Sequence, residues 1–132
     1  MTETVEVARD FTALLAAGKL QSATSRYWAQ DIAMVCPAEN RTSLPIVVAG
    51  FAHAQRRLAA WLRAHGLADI TIDGPFVTGN CFALFLDLDI VRNATGRHES
   101  FSEIAVYTVL EGKISEERHF HGTCSLAAGF HA

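Results

Sequence analysis

Cysteine is scarce in this sequence of 132 residues: Cys36, Cys81 and Cys124 are an odd number, widely spaced and without a CxxC pair. That excludes a disulfide framework and predicts reduced thiols in a cytoplasmic protein. Proline is equally sparse, with three residues, and charged residues are 19% against 50% hydrophobic, which excludes a disordered chain. Positive charge is short as well. Eleven Lys+Arg against fourteen Asp+Glu leave a net charge of −3, and the one basic patch is Gln55-Arg56-Arg57, so no nucleic-acid partner is expected. Thr2-Glu3-Thr4-Val5-Glu6 lacks a basic leader, and no apolar run reaches membrane-spanning length. A protein neither secreted nor membrane-integral is expected, and Asn40-Arg41-Thr42 and Asn93-Ala94-Thr95 then carry no glycosylation meaning. Repeats and low-complexity tracts are lacking too, and the length suits one domain spanning residues 1–132.

What is present divides into a helical first half and a strand-rich second half. Val7, Phe11, Leu14 and Leu15 share one helical face, and Gly18 is a C-terminal stop. Leu20, Ala23 and Tyr27 predict a short second helix to about Trp28, followed by a brief strand over Ile32–Val35 and a polar loop over Ala38–Pro45. A third helix is predicted over Phe51–His65, striped by Ala54, Leu58, Trp61 and Leu62 and ended by Gly66. The period then changes from 3.6 to 2. Strands are predicted over Ile70–Val77, Cys81–Val91, Arg97–Leu110 and Ile114–His121, joined by turns at Gly79-Asn80, Asn93–Gly96 and Gly112-Lys113. Helices followed by an antiparallel meander predict an α+β fold.

Alternation assigns the faces. Phe82, Leu84, Leu86, Leu88 and Ile90 form a core face, and Phe85, Asp87 and Asp89 point the other way. The third long strand groups Phe101, Glu103, Ala105, Tyr107 and Val109, and the last groups Glu117, His119 and His121. A one-residue slip of that last strand would exchange His119 for Arg118.

This order of elements, with Tyr27-Trp28 and Asp31 before the first strand, resembles the SnoaL-like domain of the nuclear transport factor 2-like superfamily. That superfamily also holds ketosteroid isomerase, scytalone dehydratase and limonene epoxide hydrolase. The likeness runs over nearly the whole chain and is strongest in Gly74-Pro75-Phe76-Val77, Ala94-Thr95-Gly96, Glu103, Tyr107 and Gly112-Lys113-Ile114-Ser115-Glu116-Glu117-Arg118. It implies a cone-shaped barrel: three N-terminal helices packed on a curved, mainly antiparallel sheet, with an apolar internal pocket. It also implies a homodimer paired through the convex sheet face, and the outward Phe85 fits such an interface. The family's strand carboxylic acid falls on Glu103, and the pocket-facing positions of the last strand on Glu117, His119 and His121. The isomerase's catalytic base, an aspartate before a proline, corresponds to Cys36 before Pro37, and its hydrogen-bonding tyrosine corresponds to Phe11. The steroid isomerase mechanism is therefore not expected here.

The residues support a narrower chemistry. Glu103 among apolar neighbours loses hydration and suits an acid or polar anchor, and His119 suits a base; these two are the candidate catalytic residues. Trp28, Cys36, Trp61, Phe101, Tyr107, Glu117 and His121 are candidate pocket residues. Glu117, His119 and His121 on one strand face resemble metal ligands, yet no further histidine or cysteine has ligand spacing, and no metal or cofactor is expected. Cys36 has no identifiable partner to activate it as a nucleophile. The expected function is binding of a small apolar molecule, with cofactor-free isomerisation, cyclisation or dehydration beside a carbonyl. The alternative is a non-catalytic ligand-binding or assembly module.

Overall fold

The computed structural model describes residues 2–36 and 46–121. The loop expected over Ala38–Pro45, and the tail with Cys124, Phe130 and His131, lie outside the described residues. Helix α1 (Thr2–Ala16) buries Val7, Ala8, Phe11 and Leu15, a spacing that aligns them in one stripe. It ends as predicted at Gly18. A φ of 77° there lets the amides of Gly18 and Lys19 turn back to the carbonyls of Leu15 and Leu14, each at 2.9 Å.

Helix α2 (Leu20–Tyr27) passes straight into β1 (Trp28–Cys36), so the strand starts at Trp28 rather than Ile32. Trp28 pairs with Ile114 of the last strand and is 3% exposed, and burying so large a side chain under the sheet favours the early transition. A strand absent from the sequence reading follows. β2 (Ile46–Ala49) has four residues, too few to display a period of two, and it lies antiparallel on β1.

Helix α3 (Phe51–Ala64) was expected to stop at Gly66. Instead His65 is already extended, and its backbone N–H caps the Trp61 carbonyl. Gly66 pairs with Val91 inside β3 (His65–Thr78). The His65 ring stacks on Trp61 at 4.7 Å, so the helix passes into a strand without a left-handed residue. β4 (Cys81–Arg92), β5 (Arg97–Leu110) and β6 (Lys113–His121) complete the sheet.

The strand order is β2-β1-β6-β5-β4-β3, antiparallel except between β1 and β6. The sheet is curved and not closed, and the three helices pack on it, as the α+β expectation held. Its inner face buries Phe82, Leu84 and Leu86 from β4, with Ala105, Tyr107 and Val109 from β5, against α1 and Trp28. A second cluster joins Ile90 and Phe101 to Trp61, Leu67 and Leu88. Among the described residues no helix is long and apolar enough to cross a membrane.

Candidate functional site

Two irregularities in the ladder decide which side chains of β6 face inward. Val109 pairs with Ile114 but Thr108 pairs with Glu116, so β6 carries one extra residue between these pairs. Without that bulge, the inward parity set by buried Ile114 would continue through Glu116 and Arg118. With it, Glu117 stands opposite Tyr107 and His119 opposite Ala105, both on the core side. The second shift lies in β1, between Trp28 and Ala33. It places the Trp28 indole within reach of Glu117, and brings Met34 and Val35 beside Glu117 and Arg118.

The inward carboxylates and His119 form one cluster. His119 Nε2 lies 2.9 Å from Glu117 Oε1, and His119 Nδ1 lies 3.4 Å from Glu103 Oε2. The Trp28 indole N–H donates to the other Glu117 oxygen. Glu117 is 3% exposed and Glu103 8%, so both carboxylates are withdrawn from water. Burial by itself would lower the His119 pKa. The adjacent Glu103, and then Glu117, outweigh it and hold the imidazole well above the ordinary histidine range. The two carboxylates thus favour the protonated imidazole.

This cluster is the polar wall of a cavity of about 240 Å³. Trp28, Cys36, Trp61, Phe101, Glu103, Tyr107, Glu117 and His119, all singled out from sequence, line it together. His121 sits on β6 opposite Glu103, and its side chain lies outside the described residues. Cys36, at the end of β1, is half-buried. Burial raises its thiol pKa, an effect that nearby His119 only partly offsets, so it is held as the unreactive thiol. The remaining wall is mostly aliphatic, with Leu15, Leu20, Met34, Leu58 and Leu86. Arg57 of α3 also lines it, although it is not in the apolar stripe of that helix and was not among the candidate pocket residues. Sequence reasoning missed it because a long side chain on the flank of a helix can lie along an apolar surface. Val48, from the unforeseen β2, is a further omission. Among the described residues no group of three His, Cys, Asp or Glu side chains is arranged to hold a metal.

A family model for the SnoaL-like domain matches residues 1–121. The chain belongs to the SnoaL-like family. Among solved structures, a Mesorhizobium loti protein described as a candidate SnoaL-like polyketide cyclase is 34% identical. It aligns over 89% of this chain and 97% of its own, with a TM-score of 0.78. Two more distant neighbours share the fold. A candidate isomerase from Bacillus subtilis has a TM-score of 0.73 at 19% identity, over 98% of this chain and 94% of its own. A candidate SnoaL-like polyketide cyclase from Jannaschia has a TM-score of 0.73 at 15% identity, over 99% and 91%. A search of curated proteins gives no match. Within this SnoaL-like fold, Phe11 is 1% exposed, and its ring meets those of Phe82 and Tyr107 edge-on at 6.2 and 5.1 Å. The helix thus presents a hydrocarbon face to the cavity, and every ionisable group at its polar wall comes from β5 and β6.

Proposed function

We propose that this chain, as one SnoaL-like domain, binds a small, largely apolar organic molecule in the cavity and moves a proton next to its carbonyl. The observation that carries the reading is the histidine held between two buried carboxylates on one wall of an otherwise apolar cavity. A purely apolar ligand needs no such group, and three ionisable side chains buried together at a cavity wall, at a desolvation cost that pairing offsets only in part, mark a candidate functional site. The volume lies a little below the ~300–1,000 Å³ common for drug-sized ligands, which favours a molecule of one or two rings.

The pKa direction supports the reverse of the roles expected from sequence. Held toward its protonated form, His119 serves as the acid and Glu103 as the base. Glu103 takes the proton from the carbon beside the carbonyl. As charge builds on the oxygen, the His119 Nδ1–H, whose contact to Glu103 is the longer of its two, donates to it. Returning the proton to another carbon completes an isomerisation; attack of the enolate on a second carbonyl of the same molecule, whose oxygen takes the proton back from Glu103 and becomes a hydroxyl, completes a cyclisation. Glu117, fixed by Trp28, orients the imidazolium.

Two copies pair through the outer sheet face in this reading. Phe85, Ile104 and Phe120 are cross-strand neighbours there and are 36%, 48% and 43% exposed, a contiguous apolar stripe suited to a partner. A reducing, cytoplasmic setting fits the free thiols of Cys36 and Cys81.

The test needs no natural substrate. α-Tetralone, a bicyclic ketone with acidic hydrogens beside its carbonyl, is incubated with the protein in deuterium oxide, and deuterium uptake is followed by NMR. Uptake above the buffer rate that is lost in Glu103→Gln and His119→Ala is the expected result, and normal uptake in both variants refutes the assignment. A second reading, a non-catalytic binding module, is favoured by the inert Cys36 thiol standing where the isomerase has its base. Binding of α-tetralone without any deuterium uptake decides for that reading.

A further inference from the structure

The proton chemistry above leaves the Tyr107 hydroxyl of the cavity unused. Tyr107, on β5 opposite Glu117, is 2% exposed and lines the cavity. Its ring is stacked on Phe82 at 4.6 Å with 13° between planes and meets Phe11 edge-on, so its direction is fixed by packing. Its hydroxyl makes no hydrogen bond among the described residues. Thr12 Oγ1 is the single fully enclosed side-chain oxygen or nitrogen there without a partner. The Tyr107 oxygen, also unpartnered, is therefore not sealed in protein. With so little of the residue open to bulk solvent, the space it opens onto is the cavity. A buried hydroxyl is normally satisfied, and one left open to an apolar cavity marks the place of a ligand acceptor.

We propose that the Tyr107 hydroxyl donates the hydrogen bond that receives the carbonyl oxygen of the bound molecule, and so selects oxygenated rings over hydrocarbons of the same shape. The inference rests on the proposed ligand-binding role of the cavity. Burial first, and then the charges of Glu117 and Glu103, raise the phenol pKa well above its ordinary value, so the group remains a donor. The position also accounts for Phe11. The donor that the isomerase carries on its first helix is supplied here from the sheet, with its ring packed against the phenylalanine that stands in the helix position.

Isothermal titration calorimetry with α-tetralone and with tetralin, which lacks only the ketone, tests this. Wild-type protein should bind the ketone about 3- to 10-fold more tightly than the hydrocarbon, the net effect of one good hydrogen bond. Tyr107→Phe keeps the stacked ring and should abolish that preference while leaving tetralin affinity unchanged. Infrared spectra of bound α-tetralone should show the carbonyl stretch at lower frequency in wild type than in the apolar solvent hexane. That second measurement does not depend on how the variant folds. A preference retained in Tyr107→Phe, or a carbonyl frequency equal to that in hexane, overturns the proposal. Equal binding of ketone and hydrocarbon by the wild type overturns it while leaving the cavity reading standing. Binding of neither overturns both.

Discussion

Glu117→Gln is the most informative single change, because it alters charge without altering shape. The Glu117 side chain is 4% exposed and accepts from two donors, the Trp28 indole N–H and His119 Nε2. A glutamine offers one acceptor oxygen and one NH2 group. It can serve one donor, and the other then faces an N–H and is left buried without a partner, at a cost of about 1–3 kcal/mol. Removing one partner of a buried ion pair outright costs about 3–5 kcal/mol, but here Glu103 remains 3.4 Å from the other imidazole nitrogen, so the charge is not orphaned. The expected loss of stability is therefore about 2–3 kcal/mol, with part of it dependent on pH.

The sign of that dependence follows from the raised His119 pKa. The pairing contributes stability fully below the unfolded histidine pKa, about 6.5, and that contribution fades as pH rises through the folded value. Glu117→Gln lowers the folded value, so its cost should be largest near pH 6 and should shrink as pH rises through the wild-type folded value, above which the unpaired donor alone remains. Urea unfolding with linear extrapolation at pH 6, 7.5 and 9 measures this, and imidazole NMR follows the titration directly. A double-mutant cycle with His119→Gln should return a coupling of about 1–2 kcal/mol at pH 6. A loss below about 1 kcal/mol that does not vary with pH refutes the paired imidazolium, and the acid–base assignment falls with it.

The outer face, the core, Gly74 of β3 and the thiol each give a further expectation. Ile104→Lys should convert a dimer to a monomer in analytical ultracentrifugation with little change in monomer unfolding, since Ile104 is 48% exposed; a persistent dimer moves the interface elsewhere. Leu84→Ala, at 0% exposure on the inner face, should cost about 2–5 kcal/mol in urea unfolding, and a cost under 1 kcal/mol contradicts that burial. Gly74 has a φ of 122°, and a Cβ there would stand 3.0 Å from the Ala83 carbonyl oxygen. Gly74→Ala should cost about 1–3 kcal/mol by the same assay, and a neutral result refutes the backbone strain. Cys36 should alkylate with iodoacetamide more slowly at pH 7.5 than an unstructured peptide thiol, read by mass mapping, because burial raises its pKa. Faster alkylation would restore it as a candidate nucleophile.

Much of the fold was legible because its signals are local. The period-2 run from Phe82 to Ile90 and the Phe101-to-Val109 face were assigned correctly, since a strand with one buried face must alternate. The signals failed where context outweighed propensity. Trp28 left its helix early to bury its indole, Gly66 entered a strand because His65 was already extended, and β2 was too short to carry a period. Arg57 belongs with these. Helical periodicity places a Cβ, and the long side chain then reaches the cavity wall from the flank.

The cavity-lining residues were legible in identity but not in arrangement, and the reason lies in the β1–β6 pair. Alternation alone groups Glu117 with His119, and Glu103 with Tyr107, as two separate strand faces. Joining the faces requires the register Tyr107↔Glu117, which depends on the extra residue in β6 near Ser115. Enclosing them requires parallel pairing of the last strand with the first, a contact spanning most of the chain, with a shift in β1 that no local pattern announces. The same geometry explains why the pKa direction, and with it the choice of acid and base, was beyond the sequence. A lone histidine on a strand titrates near its ordinary value. One placed between two carboxylates, by one bulge and one parallel pair, is held toward its protonated form, which in the proposed mechanism leaves the base role to Glu103. Deleting Ser115 tests this register, because it leaves Ile114 and Glu116 as consecutive residues opposite Val109 and Thr108, so Glu117 and His119 keep the core side without the bulge. The raised imidazole titration and α-tetralone exchange should both be retained. A deletion variant that folds and loses both would show that β6 carries no extra residue there and that its parity runs through Glu116 and Arg118.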